Sequence, residues 1–399
     1  MKQEGIVYHS GYYRVSRVLR YIRYGVLLVL VLFTIITFMA FRQDMTLNHF
    51  RYLLNNFDFS PNAGDTSGDV LYFDADADAS FGFVSGGFVT LTDTRVFVTD
   101  RSSSTTLSAY HGYRQPMGVY SDTYMLIYDR SGGSATVYNA FSALKSFSFD
   151  GTVVAAACAD NGNFAIAVAD SDGYYTRVHI YDKSFDEIRT LSKYKYVTAL
   201  AFAKEDEAIV VGSRFTEKGK SGYEIQHLFV DSTTPTFTKT FDAPIYALTA
   251  CEKGIRAMTA DALFMLSHEG EVLSRDTLSL SVYKSTLLES GAITVSSSSD
   301  GRRETLYYAG DTGVLEKALD ARFVTAREDE SYLYILLENS LLLLDKKESV
   351  WHTVNDPVLL DGALTLAFDG DSVYLVRTHR ADRLLGDMLV DKRLKNTDS

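Results

Sequence analysis

TVVAAACAD (152–160) returns in altered form as VTALAFAKED (197–206) and again as IYALTACEKG (245–254). Each is a short run of small and apolar residues that gives way to a polar turn. Outward from these, FGFVSGG (81–87) and PMGVY (116–120) come before, and STLLESG (285–291), RFVTARED (322–329) and GALTLAFDGD (362–371) come after. The interval is roughly forty residues, about what one four-stranded propeller blade needs. Within an interval the first strand is followed by a second and then by a third that ends in Asp. Examples of the third are RVFVTD (95–100), RVHIYD (177–182), QHLFVD (226–231) and SLLLLD (340–345). A more polar fourth strand follows, as in FTKTF (237–241) and VWHTV (350–354), and the turns carry Gly, Asn and Asp, as in DNGN (160–163) and HEGE (268–271).

The pattern predicts an all-β chain folded as a β-propeller. First strands begin near residues 81, 116, 152, 196, 244, 284, 322 and 363, which favours eight blades, with seven as the alternative. The last interval supplies only two convincing strands, GALTLAF (362–368) and SVYLVRT (372–378). The early strand VLYF (70–73) is left over, and it is expected to complete that blade so that the two ends of the chain close the ring.

Upstream of the repeats, residues 25–41 read GVLLVLVLFTIITFMAF without a charge or a proline. Such a run is expected to form one transmembrane helix and to act as an uncleaved signal-anchor, because Phe38-Met39-Ala40 is a poor cleavage site. Lys2, Arg14, Arg17, Arg20 and Arg23 precede it, against Arg42 and Arg51 soon after it. The positive-inside rule then makes 1–24 a cytoplasmic basic segment and leaves the large domain outside the cytoplasm. Residues 42–69 divide into an amphipathic stalk helix (45–57) and a polar linker. The propeller is expected over 70–380, and 381–399, which includes LLGDMLVDKRL, reads as a C-terminal helix and tail.

Charge separates along the same boundary. The chain carries 39 Lys+Arg and 51 Asp+Glu, of which residues 1–51 hold seven and two. The remainder therefore carries 32 basic and 49 acidic residues, a net charge of −17. A domain of that sign repels nucleic acid, which is excluded as an expected partner.

The repeat organisation resembles the quinoprotein-like and YVTN-like propeller superfamily. The order of anchor, stalk and propeller is similar to an uncharacterised family of single-pass membrane-anchored β-propeller proteins from clostridia-like bacteria. The resemblance covers about residues 20–380 and implies a fold, with no residue roles to carry over. Trp351 is the only tryptophan, so the tryptophan-docking repeats of quinoprotein dehydrogenases are absent, as is an adjacent cysteine pair. The Gly-His and Trp-Asp signatures of WD40 repeats are missing too.

Few constellations carry chemistry. Asp74, Asp76 and Asp78 alternate along one segment and could converge on calcium, a cation that takes several oxygen ligands. As an EF-hand the loop fails at Ala79 and Ser85, and a solvated turn explains the same residues. No other cofactor is expected. His179 and His227 occupy comparable third strands, where a packed histidine competes with a ligand. Ser213 in VGSRF lacks the second glycine of a nucleophile elbow. Cys158 and Cys251 fall one position apart when their strands are aligned, which points to two buried thiols rather than a disulfide. Tyr120, Tyr128, Tyr174, Tyr175, Tyr223, Tyr246, Tyr307 and Tyr308 sit in or beside strands, available for inter-blade packing or for a ligand at the mouth of the ring.

The expectation is a membrane-tethered extracytoplasmic propeller, more a binding or scaffold module with an envelope protein partner than an enzyme. The competing reading is an extracytoplasmic enzyme or ligand sensor with a site in the funnel for a small molecule or glycan.

Overall fold

The computed structural model describes residues 18–29, 31–33, 70–73, 79–170, 175–193, 195–203, 207–251, 253–277, 282–288, 290–297, 303–310, 313–369 and 372–390. The chain divides into two compact units, Met1–Asp58 and Phe59–Ser399.

In the second unit the strands form eight four-stranded antiparallel sheets, each a blade. Blades 1 to 7 take four consecutive strands each, over 80–110, 116–148, 152–193, 196–241, 245–277, 282–319 and 323–354. Within a blade the strands are lettered A to D from the ring axis outward. The first strands begin within two residues of the positions read from sequence, and eight blades rather than seven is the result.

Blade 8 joins the two ends of the chain. Its strands A, B and C are Ala363–Asp369, Ser372–Arg377 and Arg380–Leu384, and its outermost strand is Val70–Tyr72. The leftover early strand thus closes the ring as expected. One boundary is corrected. Residues 381–384 belong to a strand, and the helical part of the tail is confined to 386–390 among the described residues. The charges of Arg380, Asp382 and Arg383 had hidden a strand whose Ala381 and Leu384 are buried. Asp382 is paired with both Arg377 and Arg380.

Each hydrophobic cluster is one seam between neighbouring blades. Blade pairs 1–2, 2–3, 3–4, 4–5, 5–6, 6–7, 7–8 and 8–1 each own one. The B strands explain how. In Tyr332–Leu337 of blade 7, Leu333, Ile335 and Leu337 pack toward blade 6, while Tyr334 and Leu336 pack toward blade 8. A strand buried on both faces reads as an unbroken apolar run, whereas an outer strand such as Val272–Thr277 is exposed along most of its length. The A strands of blades 3, 4, 5 and 8 carry two or three alanines each. In six blades, 3 to 8, the register between strands A and B shifts at the second or third residue of A, a repeated bulge that adds local twist.

In the first unit a helix is described over 18–33, with residue 30 outside the description. It includes Arg20 and Arg23, so it starts within the segment assigned above to 1–24. Among the described residues no helix is long and apolar enough to cross a membrane, and the span expected over 25–41 is not found there as such. Its second half, 34–41, and the stalk helix expected over 45–57 lie outside the described residues.

Candidate functional site

Strand direction assigns every loop to one of two faces. A strands run toward the A–B turns, which share a face with the C–D turns. The D–A connections and B–C turns occupy the opposite face. In blade 8, Val70 pairs with Asp382 and Tyr72 with Arg380, so the chain enters the ring at its A–B face.

A cavity of about 450 Å³ opens on that face where the inner strands of blades 5 to 8 end. Blade 6 contributes Leu287, Leu288 and Ser290, and blade 7 contributes Arg327 to Glu330 from its A–B turn together with Lys346 from its C–D turn. Thr249 of blade 5 and Phe368 of blade 8 complete the lining. A second hollow of about 270 Å³ shares Asp329 and Glu330, and continues past Tyr332 to Arg383–Asp387.

The period of the strand sets which side chain faces which blade. Glu328 pairs with Leu333 and Arg327 with Tyr334, so the two project from opposite faces of blade 7. Glu328 therefore reaches blade 6. Its carboxylate accepts from the Ser290 backbone N–H at 2.9 Å and from the Ser290 hydroxyl, and it pairs with Lys346 at 2.8 Å. Lys346 also donates to the Asp329 carbonyl, and Ser290 Oγ lies 2.8 Å from the Tyr308 hydroxyl. The Asp329 carboxylate accepts from the N–H groups of Ser331 (2.8 Å) and Tyr332 (2.6 Å) and from the Tyr334 hydroxyl (2.7 Å). Burial, with the Asp329 bond second, pushes the Tyr334 phenol well above its usual value, so it stays a donor.

This network latches blade 6 to blade 7 across the floor of the cavity. It differs from a nucleophile–base pair, because the Ser290 hydroxyl faces a carboxylate already ion-paired with Lys346, and no histidine is among the described residues that line the space. None of Ser290, Arg327, Glu328 or Lys346 stands out as a site in the sequence. The usable signal was the pair of charges ending the inner strand of RFVTARED, where the other repeats carry small or apolar residues.

The residues singled out in sequence fall elsewhere. Asp74, Asp76 and Asp78 lie outside the described residues, and among the described ones no group of three or more His, Cys, Asp or Glu side chains could hold a metal. His179 is half-buried, with Nδ1 3.2 Å from Thr190 Oγ1 and 3.6 Å from Glu187, and desolvation lowers its pKa. His227 is buried and stacked on Phe237 at 5.5 Å. Both fit the packed reading. Ser213 is 1% exposed inside a B strand, unlike a nucleophile elbow. Cys158 and Cys251 are free thiols, and burial pushes Cys158 up to about 12. Of the tyrosines, Tyr120, Tyr128 and Tyr308 are packed in seams, Tyr223 is half-buried, and Tyr175 and Tyr246 are exposed.

On the opposite face, blade 4 departs from the others. Its B and C strands, Ala208–Glu217 and Lys220–Phe229, run ten residues each, against five to seven in the B strands of blades 1 to 3 and 5 to 8. Pairing with strand A ends at Arg214 and pairing with strand D ends at Tyr223. Residues 215–222 therefore project as a hairpin with neither edge paired to a neighbouring strand of the blade. Lys218 and Lys220 are exposed on it.

Residues 72–234 match the model of a family of unknown function, DUF5711. That stretch spans blades 1 to 3 and the first three strands of blade 4, hairpin included. No curated protein matches the chain in sequence. Among solved structures the chain is similar to BamB from Moraxella catarrhalis, at 13% identity over 79% of this chain and 98% of that one, with a TM-score of 0.52. It is likewise similar to Sqt1 from Saccharomyces cerevisiae, at 12% identity over 79% of this chain and 98% of that one, with a TM-score of 0.57. Likeness at these identities establishes the propeller fold.

Proposed function

We propose that the protein is a binding or scaffold module: a propeller tethered to the cytoplasmic membrane through residues 25–41, held outside the cytoplasm and docked to a protein of the cell envelope. The observation that carries the reading is the projecting hairpin of blade 4 on a closed, rigid ring. A free strand edge recruits a partner through main-chain hydrogen bonds, and the exposed lysines on it discourage pairing with another copy of the same edge. The uncharged run at 25–41 and the arginines that precede it support the tether and its orientation. Two chain features thus divide the labour, one supplying location and the other recognition.

The test places a photoreactive residue at Thr216 in the full chain, in membranes of its native host, with a second copy of the experiment at Glu269 on the other face. A discrete crosslinked protein at Thr216, competed away by excess unlabelled protein but not by protein in which residues 215–222 are replaced by Asn-Gly, is the expected result. Efficient labelling with no protein adduct at either position sinks the scaffold reading.

The cavity at the A–B face favours a second reading, a ligand sensor or enzyme working at the mouth of the ring. In that case turnover or ligand response survives hairpin replacement and disappears on substitution of the cavity lining.

A further inference from the structure

Among the described residues that line the cavity at blades 6, 7 and 8, one cation has no carboxylate partner. Three carboxylates and two cations are among those residues. Both oxygens of Glu328 are taken by Ser290 and Lys346, both oxygens of Asp329 by its own turn and Tyr334, and Lys346 is spent on Glu328 and the Asp329 carbonyl. Arg327 has no such partner: its described hydrogen bond runs from Nη1 to the carbonyl of Ala326 at 2.8 Å. The rest of the planar guanidinium fork, the part suited to bidentate recognition, has no acceptor among the described residues.

Its surroundings are drier than an ordinary surface arginine meets. Arg327 shares its sheet face with Tyr334, which is fully buried, and Phe368 packs on the same seam. Leu287 and Leu288 of blade 6 also line the cavity. Burial pulls the guanidinium below its usual value, consistent with a cation held without a counter-charge.

We infer that this cavity is a binding site for a small apolar carboxylate, with Arg327 gripping the carboxylate through its free fork and Leu287, Leu288 and Phe368 covering the apolar body. A singly charged acid suits the site better than a phosphate dianion, because Glu328, Asp329 and Glu330 already make the rim acidic and a second negative charge adds repulsion. The volume lies within the range of small-molecule pockets. The same chemistry is offered by a free organic acid and by the C-terminal carboxylate of a peptide ending in an apolar residue. The inference is independent of the blade 4 hairpin, which lies on the opposite face.

Isothermal titration of the full chain decides it. The probes are 4-phenylbutanoate and its amide, and acetyl-Ala-Leu-Phe with a free and with an amidated C-terminus. The expected result is that one acid binds at least about tenfold more tightly than its own amide, as a charge-assisted bidentate pair requires. That preference disappears in Arg327→Gln and falls in Arg327→Lys, which keeps the charge but not the fork. Whichever acid binds identifies the source, free or peptidic. Binding of acid and amide alike, no binding by either acid up to about 10 mM, or an acid preference unchanged in Arg327→Gln each overturns the proposal. Should Arg327→Gln fail to fold, the acid-against-amide comparison on the unaltered protein decides it alone.

Discussion

Leu71, at the start of the ring sequence, lies directly opposite Ala381, near its end, in the outer pair of strands of blade 8. Both side chains are buried, and they share one seam with Phe83 and Phe88 of blade 1. The ring is closed by this pairing and by the packing beneath it, with no covalent link.

Leu71→Ala is expected to destabilise the propeller by about 2–4 kcal/mol, the cost of a large-to-small change in a packed core. Urea denaturation followed by tyrosine fluorescence and far-ultraviolet dichroism measures it. A midpoint unchanged by the substitution would show that the ring does not depend on its closing strand.

Glu328→Gln leaves Lys346 half-buried without its carboxylate, and a loss of about 3 kcal/mol is expected. Lys346→Met alone leaves Glu328 in the same difficulty and costs a similar amount. The double variant recovers much of the loss, since neither charge then remains unpaired. Strict additivity of the two single effects in a double-mutant cycle would deny that Glu328 and Lys346 act as a pair.

Among the described residues, the seam between blades 5 and 6 has the smallest cluster. It holds four buried residues, Met258, Leu263, Ala292 and Ala309, where every other seam has eight or more. Local opening follows the least apolar contact. Amide hydrogen exchange in Ile245–Cys251 and Val282–Leu287 is therefore expected to be faster than in the matching inner strands of blades 3 and 4. Equal protection in all of them would mean that seam size does not set ring stability.

Two partly buried groups give stability a dependence on pH at both ends. His179 has a lowered folded pKa, so below its unfolded value of 6.5 the unfolded chain binds more protons. Stability is thus complete above that pH and declines as pH falls through it, and His111 acts in the same direction. His179→Gln should flatten the decline of the urea midpoint between pH 7 and about 5. At the alkaline end the raised Cys158 thiol reverses the logic: the unfolded chain ionises first, and stability falls as pH climbs from about 9 toward 12. In the native protein at pH 8, Cys158 should resist a thiol-specific disulfide reagent that labels the urea-unfolded chain at once. Rapid native labelling of Cys158 would contradict its raised pKa.

The fold was legible because a blade repeats a local rule. Apolar inner strands, third strands ending in Asp and Gly-rich turns recur at one interval, and strand period and turn chemistry are local properties that a linear reading recovers. The first strand of each blade could be placed within two residues for that reason, and Val70–Tyr72 could be assigned to blade 8 because an incomplete blade leaves an unpaired edge. Arg380–Leu384 escaped because its charges are answered by Arg377 and Asp382, partners that exist only once the sheet has formed. The same limit hid the cavity. Nothing along the chain links Ser290 to Glu328, or leaves Arg327 without a carboxylate, until blades 6, 7 and 8 are set side by side. Composition and periodicity decide which residues face inward along a strand, while the packing of one blade on the next decides which of them meet, and a binding site consists of those meetings.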